Sequence, residues 1–197
     1  IYTNPGSNVL TIMGKYNANT ASEYSLFNNH GYLQSNIYDL NTTNRIQSKT
    51  NFVEFEEGVL YHVAMTYDGS GNASGITLYI NGEEAAQTRT SVGSYTAMHN
   101  TTTKFQIGST VAGTFDFARS MHHAMVFDAE LTSGSVSTLY GLYNQANAKF
   151  EPNASNFSAY SDLVSWWKMD KKDRFSNDRT AHDSIGSNEG TYSGDAS

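Results

Sequence analysis

At 197 residues the chain is long enough to bury one sizeable hydrophobic core and too short for two ordinary domains. Charged residues make up 16% of it and aromatics 13%, with 16 glycines and two prolines, a profile typical of a β-rich globular protein. A net charge of −7 without a Lys/Arg cluster argues against nucleic acid, the lack of cysteine excludes disulfides and thiolate chemistry, and no apolar run is long enough for membrane insertion.

Short strands are predicted from the N-terminal end onward. The segments NVLTIMGKY, EYSLFNN, GYLQSNIYDL and RIQSKTNFVEFEEG are rich in β-branched and aromatic residues and are separated by Asn-, Gly- and Thr-containing turns. The chain starts at Ile1 without a methionine and stops after a Gly-Asp turn. We therefore expect it to be a piece of a longer protein.

The clearest local signal lies in residues 61–84, YHVAMTYDGSGNASGITLYINGEE. Apolar side chains recur there at every second position: Tyr61, Val63, Met65 and Tyr67, then Ile76, Leu78 and Ile80. This period predicts two half-buried strands joined by a Gly-rich connection. Asn81 and Gly82 follow as a hairpin signal, because a type I′ turn needs two residues that tolerate positive φ. The whole stretch is predicted to be a β-meander.

Two more strands and one helix are predicted further along the chain. KFQIGST and MHHAMVFDAEL continue the strand series. A helix capped by Thr132 or Ser133 is indicated by apolar residues at helical spacing: Val136, Leu139, Tyr140 and Tyr143. Strands every eight to twelve residues without βαβ alternation predict an all-β fold, a two-sheet antiparallel jelly-roll sandwich with one short helix near residues 133–145.

Two adjacent tryptophans stand near the end of the chain, in LVSWWKMD. Neighbouring side chains of a strand point to opposite faces, so Trp166 and Trp167 need two separate apolar covers. The tail can fold back on its own module, open a second repeat, or add its strand to a neighbouring subunit. We favour a core at residues 1–148, a polar linker at 149–162, and C-terminal strands at 163–197 that complete the sandwich of the same or a neighbouring subunit. The tryptophan pair is thus predicted to serve packing and assembly.

Several segments in order resemble a known family. YHVAMTYDGSGNASGITLYINGE, FQIGS and AMVFDAELTSGSVSTLY are similar to the laminin-G-like branch of the concanavalin A-like lectin/glucanase jelly rolls. The closing LVSWWKMD…DSIGSNEGTYSGDAS resembles the stretch that commonly opens such modules. The sequence of the chain, including GSYTAMHNTT, resembles those of structural proteins of marine bacteriophage virions. The resemblance implies a two-sheet sandwich, typically non-catalytic, that binds glycans or proteins at one rim or face.

The sequence offers no catalytic constellation. Glucanases on the same jelly roll need an E-x-D-x-x-E arrangement on one strand face. In VEFEEG, Glu54 and Glu56 alternate, but no Asp lies between them and Glu57 is out of phase, as in an acidic solvent-facing strand edge. No G-x-S-x-G elbow precedes a helix, and neighbouring His122 and His123 would point to opposite faces of a strand. We predict that the protein is not an enzyme.

Two binding sites are candidates. Some members of the family hold Ca²⁺ on rim loops, and Asp68, Asn72 and the carbonyls of DGSGN could supply part of such a shell, although a Gly-rich connection has the same composition without a metal. No other cofactor is expected. A glycan platform is the second candidate, because exposed rings stack on the apolar faces of sugars. Its candidate residues, which could equally pack against the core, are Tyr16, Tyr24, Tyr32 and Tyr38.

The favoured function is a non-catalytic structural or adhesion module of a virion or other extracellular surface assembly, as a decoration or fibre, with glycan binding at a rim. Its expected partners are copies of itself, other structural proteins of the assembly and surface glycans, and its expected location is the virion surface or the extracellular space. The alternatives are a carbohydrate-binding module of a secreted enzyme or adhesin, and a degenerate glycoside hydrolase.

Overall fold

Antiparallel sheets and one short helix make up the regular structure of the computed structural model, which describes residues 9–17, 21–53, 55–56, 58–110, 115–117, 120–144, 150–169 and 180–192. The predicted all-β sandwich class is confirmed. The chain forms two compact units, Ile1–Ser120 and Met121–Ser197.

The first unit is built on a six-stranded antiparallel sheet in the order β8-β4-β3-β2-β1-β9. Its strands, in chain order, are β1 (Val9–Lys15), β2 (Tyr24–Asn29), β3 (Tyr32–Asp39), β4 (Asn41–Thr50), β8 (Gln87–Val92) and β9 (Gln106–Ile107). A second sheet of three strands contains β5 (Val63–Tyr67), β6 (Ile76–Ile80) and β7 (Glu83–Glu84) in that order, with a 3₁₀ turn at Ala73–Gly75 before β6.

Register decides which side chains of the large sheet enter the core. Ile37 of β3 lies opposite Ile46 of β4, and both are buried against Ile76 of β6. Tyr24 of β2 also lies opposite Ile37 and packs against the same cluster. Burial of such side chains contributes roughly 1.5–3 kcal/mol each. The two sheets of this unit therefore pack face to face, as a sandwich requires.

The predicted meander at residues 61–84 is confirmed. β5 pairs with β6 and β6 with β7, both antiparallel. Asn81 and Gly82 both have positive φ, at 52° and 81°, as a type I′ turn demands. The Asn81 side-chain oxygen also accepts the N–H of His62 at 3.1 Å, which fastens the turn to the start of β5.

A long loop follows β8 and is tied to one end of the large sheet. The buried Glu23 carboxylate accepts the Thr101 N–H at 2.6 Å and lies 2.6 Å from the Lys15 ammonium. Asp39, at the end of β3, accepts the Thr96 N–H at 2.9 Å. The GSYTAMHNTT segment lies in this loop, so these carboxylates hold it against the sheet.

The second unit contains β10 (Ala124–Phe127), α1 (Ser133–Tyr143), β11 (Leu163–Trp167), β12 (Thr180–Ala181) and β13 (Gly190–Thr191). The helix matches its predicted position, and Thr132 caps it by accepting the Ser135 N–H at 3.1 Å. β11 pairs antiparallel with β10 of the same chain, Ala124 opposite Trp167. In the segment predicted as a linker, Phe157 is buried and a 3₁₀ turn spans Ser158–Asp162.

Within the described residues, no helix combines the length and apolar character needed to cross a bilayer.

Candidate functional site

The face of the large sheet turned away from β6 is polar, and we name it the polar face. Cross-strand pairing sets two rows across it, Phe27–Gln34–Lys49–Thr88 and Ser25–Asn36–Gln47–Thr90. In these rows the side chains of β2 are buried, those of β4 are half-buried, and the threonines of β8 are exposed. This face is therefore open to solvent on its β4–β8 side.

A chain of hydrogen bonds fixes the amides of the polar face. Asn29 donates to Gln34 at 2.8 Å, Gln34 donates to Asn36 at 3.1 Å, and Asn36 donates to Ser25 at 3.2 Å. The Ser25 and Tyr38 hydroxyls, which lie 3.1 Å apart, end this series of hydrogen bonds. Because each amide already has a partner, its remaining donor or acceptor points in a set direction, and such preorganisation lowers the entropy cost of binding.

An open cleft of about 440 Å³ lies where β3 begins and β4 ends, and we name it the Phe52 cleft. Its lining residues are Tyr32, Lys49, Thr50, Asn51, Phe52 and Thr88. Phe52 is 60% exposed, and its ring meets the Tyr32 ring edge-on at a centroid distance of 5.4 Å. The Lys49 ammonium sits 3.9 Å from the centroid of the Tyr32 ring.

The β2–β3 turn gives the Phe52 ring its position. His30 and Gly31 have φ of 52° and 85°, and the Gly31 N–H donates to the Asn28 side-chain oxygen at 2.9 Å. A Cβ at Gly31 would lie 2.6 Å from the Phe52 ring, so the ring rests on a surface that only glycine leaves open. The Val53 N–H, which donates to the Gly31 carbonyl at 2.9 Å, holds the neighbouring backbone in place.

The four tyrosines predicted as a glycan platform do not share one surface. Tyr32 lines the Phe52 cleft, whereas Tyr24 packs on the core side of the sheet, where burial raises its pKa to about 12. Tyr38 is 4% exposed, and burial raises its pKa above the ordinary range. Tyr16 lies against Tyr38 and the Phe27 ring. Glycan binding by these residues stays a prediction, and Tyr32 is the member placed in the cleft.

Sequence reasoning missed Phe52 and Lys49. Both fall in RIQSKTNFVEFEEG, which was predicted only as one of several short strands. β4 ends at Thr50, so Phe52 leaves the sheet and turns back over the β2–β3 turn. An exposed aromatic next to Lys and Asn was the available signal.

The Gly-rich loop predicted to bind calcium uses its polar atoms internally. Asp68 accepts the Ser70 N–H at 2.9 Å, and this hydrogen bonding lowers the pKa of the Asp68 carboxyl. The Asn72 amide donates to the Ser70 carbonyl at 3.1 Å. Ca²⁺ takes 6–8 oxygen ligands, and Asp68 is the one carboxylate of this loop, so a calcium shell here would depend on carbonyl oxygens. Asp68 and Asn72 as ligands stay a prediction without support from the geometry.

The glutamates weighed for catalysis do not form a pair in the part of the chain that is described. Glu54 lies outside the described residues, and Glu56 is exposed, outside any strand, with its N–H donating to the Tyr61 hydroxyl at 3.1 Å. Among the residues that the structure describes, no group of three or more His, Asp or Glu side chains could hold a metal ion.

Both tryptophans are buried in the second unit, Trp166 to 2% exposure and Trp167 to 6%. Trp166 packs edge-on against Phe150 at 5.7 Å and donates its indole N–H to His123 at 3.3 Å. Trp167 donates its indole N–H to the Asn188 carbonyl at 2.8 Å. The two rings thus have different covers within their own unit, and their predicted assembly role stays a prediction.

Asp183 ties the C-terminal segment to the tryptophan strand. Its buried carboxylate accepts the N–H groups of Trp166 at 2.9 Å, Ile185 at 3.1 Å and Asn188 at 3.2 Å. Burial alone raises the pKa of Asp183, but the hydrogen bonds that its carboxylate accepts outweigh that effect and lower it. A single carboxylate therefore holds the C-terminal segment against β11. The DSIGSN motif, which begins with Asp183, is the sequence signal for this loop.

A sandwich of antiparallel sheets fits a carbohydrate-binding or adhesion module. A laminin-G-type family model, described as the concanavalin A-like lectin/glucanases superfamily, matches residues 2–137, more than two thirds of the chain. The chain belongs to this superfamily, and laminin-G-like domains are generally non-catalytic. No curated protein and no solved structure gives a significant match.

Proposed function

We propose that this chain is a non-catalytic glycan-binding adhesion module and that the Phe52 cleft, with the adjoining polar face, is its binding site. The observation that carries the proposal is the largely exposed Phe52 ring beside Tyr32 at the edge of an ordered row of amides. An exposed aromatic ring offers the apolar face of a sugar a large contact area at low entropy cost, and neighbouring amides and hydroxyls can bind its hydroxyl groups.

Glycan binding by purified protein tests this site. Isothermal titration against hits from a glycan array should show that Phe52→Ala weakens affinity about tenfold, equivalent to ~1.4 kcal/mol, through loss of ring stacking. Phe115→Ala is the matched control, because Phe115 is also an exposed phenylalanine of the first unit, at 42%, and is not part of the cleft lining. Equal affinities of the two variants would contradict the assignment of the site.

We further propose that the module works in a virion or other extracellular surface assembly, as a decoration or fibre, with copies of itself or other structural proteins as partners. The resemblance of GSYTAMHNTT and its neighbours to phage structural proteins supports this role. Native mass spectrometry and light scattering of the purified protein should show a symmetric oligomer that does not require glycan. Glycan binding by a strict monomer would instead favour a carbohydrate-binding module of a secreted enzyme or adhesin.

A further inference from the structure

The cation in the Phe52 cleft has no carboxylate partner among the described residues. The Lys49 ammonium contacts the Tyr32 ring, and the cleft lining contains neither Asp nor Glu. Three other cations are paired with glutamates: Lys15 with Glu23, Arg89 with Glu84, and Lys168 with Glu151. Arg45, also half-buried, is bound by the Thr42 carbonyl and the Gln47 side chain, whereas the described part of the chain places an aromatic ring against the Lys49 ammonium.

The position of Lys49 is set by its neighbours. Register places it between Gln34 of β3 and Thr88 of β8, on the accessible side of the polar face. Contact with the Tyr32 ring holds the ammonium in the cleft and removes water from one side of it, and within the described ranges no other group accepts its N–H groups. A positive group fixed in this way attracts an anion more strongly than a freely moving lysine.

We propose, resting on the proposed function of the same cleft, that the glycan bound there carries a carboxylate, as in a uronic acid residue. Phe52 offers the stacking surface for the sugar ring, and the Lys49 ammonium donates to the carboxylate. Thr88 and Asn51, both exposed in the lining, can bind ring hydroxyls. The cleft thus combines an apolar contact, a cation and neutral polar groups, which is the chemistry that distinguishes an acidic sugar from a neutral one.

The test compares oligouronates with their methyl esters, because the ester keeps the sugar ring and linkage and replaces the charged carboxylate with a neutral group. Galacturonate, glucuronate and mannuronate oligomers, each as acid and ester, are titrated into wild-type protein at low and high salt. We expect at least one acid to bind about tenfold more tightly than its ester, with the difference shrinking as salt rises. Lys49→Gln should abolish the difference and Lys49→Arg should keep most of it.

Lys104→Gln is the control for net charge, because Lys104 is exposed in the same unit and does not line the cleft. It should leave the acid preference unchanged. Equal binding of acid and ester with retained dependence on Phe52 would overturn this inference and leave the glycan site in place. Binding of neutral array glycans but of no uronate would overturn it too. Absence of any Phe52-dependent glycan binding would overturn the proposed function as well.

Discussion

Replacing Asp183 with alanine should unfold the C-terminal segment that packs on β11, the strand that carries both tryptophans. The buried Asp183 carboxylate, 8% exposed, accepts three backbone N–H groups, which belong to Trp166, Ile185 and Asn188. The Ser184 N–H donates to the Trp166 carbonyl at 2.8 Å in the same contact, so the loop and β11 are held at neighbouring points.

The size of the effect follows from those three bonds. A hydrogen bond to a charged group contributes about 1.5–3 kcal/mol, and a buried donor left without a partner costs about 1–3 kcal/mol. The three donors lie close together and relax jointly, so their costs do not add fully. We expect Asp183→Ala to lower the free energy of unfolding of the second unit by about 4 kcal/mol, well above the ~1 kcal/mol of an ordinary substitution.

Intrinsic fluorescence measures this directly, because Trp166 and Trp167 are the two tryptophans of the chain and both lie beside the loop. Urea unfolding followed by fluorescence should shift to much lower denaturant in Asp183→Ala. Asp183→Asn keeps one acceptor oxygen and should lose about half as much. A fluorescence midpoint within error of wild type in Asp183→Ala would refute the reasoning.

Three further results are expected. Because the pKa of Asp183 is lowered in the fold from its ordinary 3.8, its stabilisation is present above that value and is lost as pH falls through the folded pKa; the fluorescence midpoint should therefore drop in acid, and this drop should be smaller in Asp183→Asn. Gly14→Ala should destabilise the first unit by about 3 kcal/mol in thermal unfolding, because the new Cβ would lie 2.5 Å from the backbone of β2. The control Gly141→Ala, which has open space around it, should be neutral or slightly stabilising. Equal effects of the two substitutions would count against the β1–β2 contact. Glu23→Ala should lower the free energy of unfolding by about 3 kcal/mol and raise hydrogen exchange at Thr101, because the Lys15 ammonium loses its carboxylate partner and the Thr101 N–H loses its acceptor. Unchanged exchange at Thr101 would show that other contacts hold the loop.

Local patterns in the sequence were sufficient for the sandwich class. Alternating apolar residues predicted β5 and β6, Asn81 and Gly82 predicted the hairpin turn, and Thr132 was one of two predicted caps of the helix. These signals are decided by neighbours within a few residues, so they can be read without knowing the rest of the fold.

The candidate site could not be read in the same way, because it depends on register between strands. The two-residue turn at His30 and Gly31 pairs odd with even positions, so Tyr24 lies opposite Ile37 and faces the core while Tyr38 faces away from it. A parity argument within one strand cannot place residues on the next strand. Phe52 was missed for a related reason, since the end of β4 is set by pairing with β8 and not by its own composition.

The contact between Gly31 and the Phe52 ring has a consequence for how recognition could diversify in this module. The ring packs where Gly31 has no side chain, so even alanine at position 31 would force the ring to shift. Affinity for the proposed glycan could then be changed by substitutions behind the Phe52 ring, with the groups proposed to contact the sugar left the same.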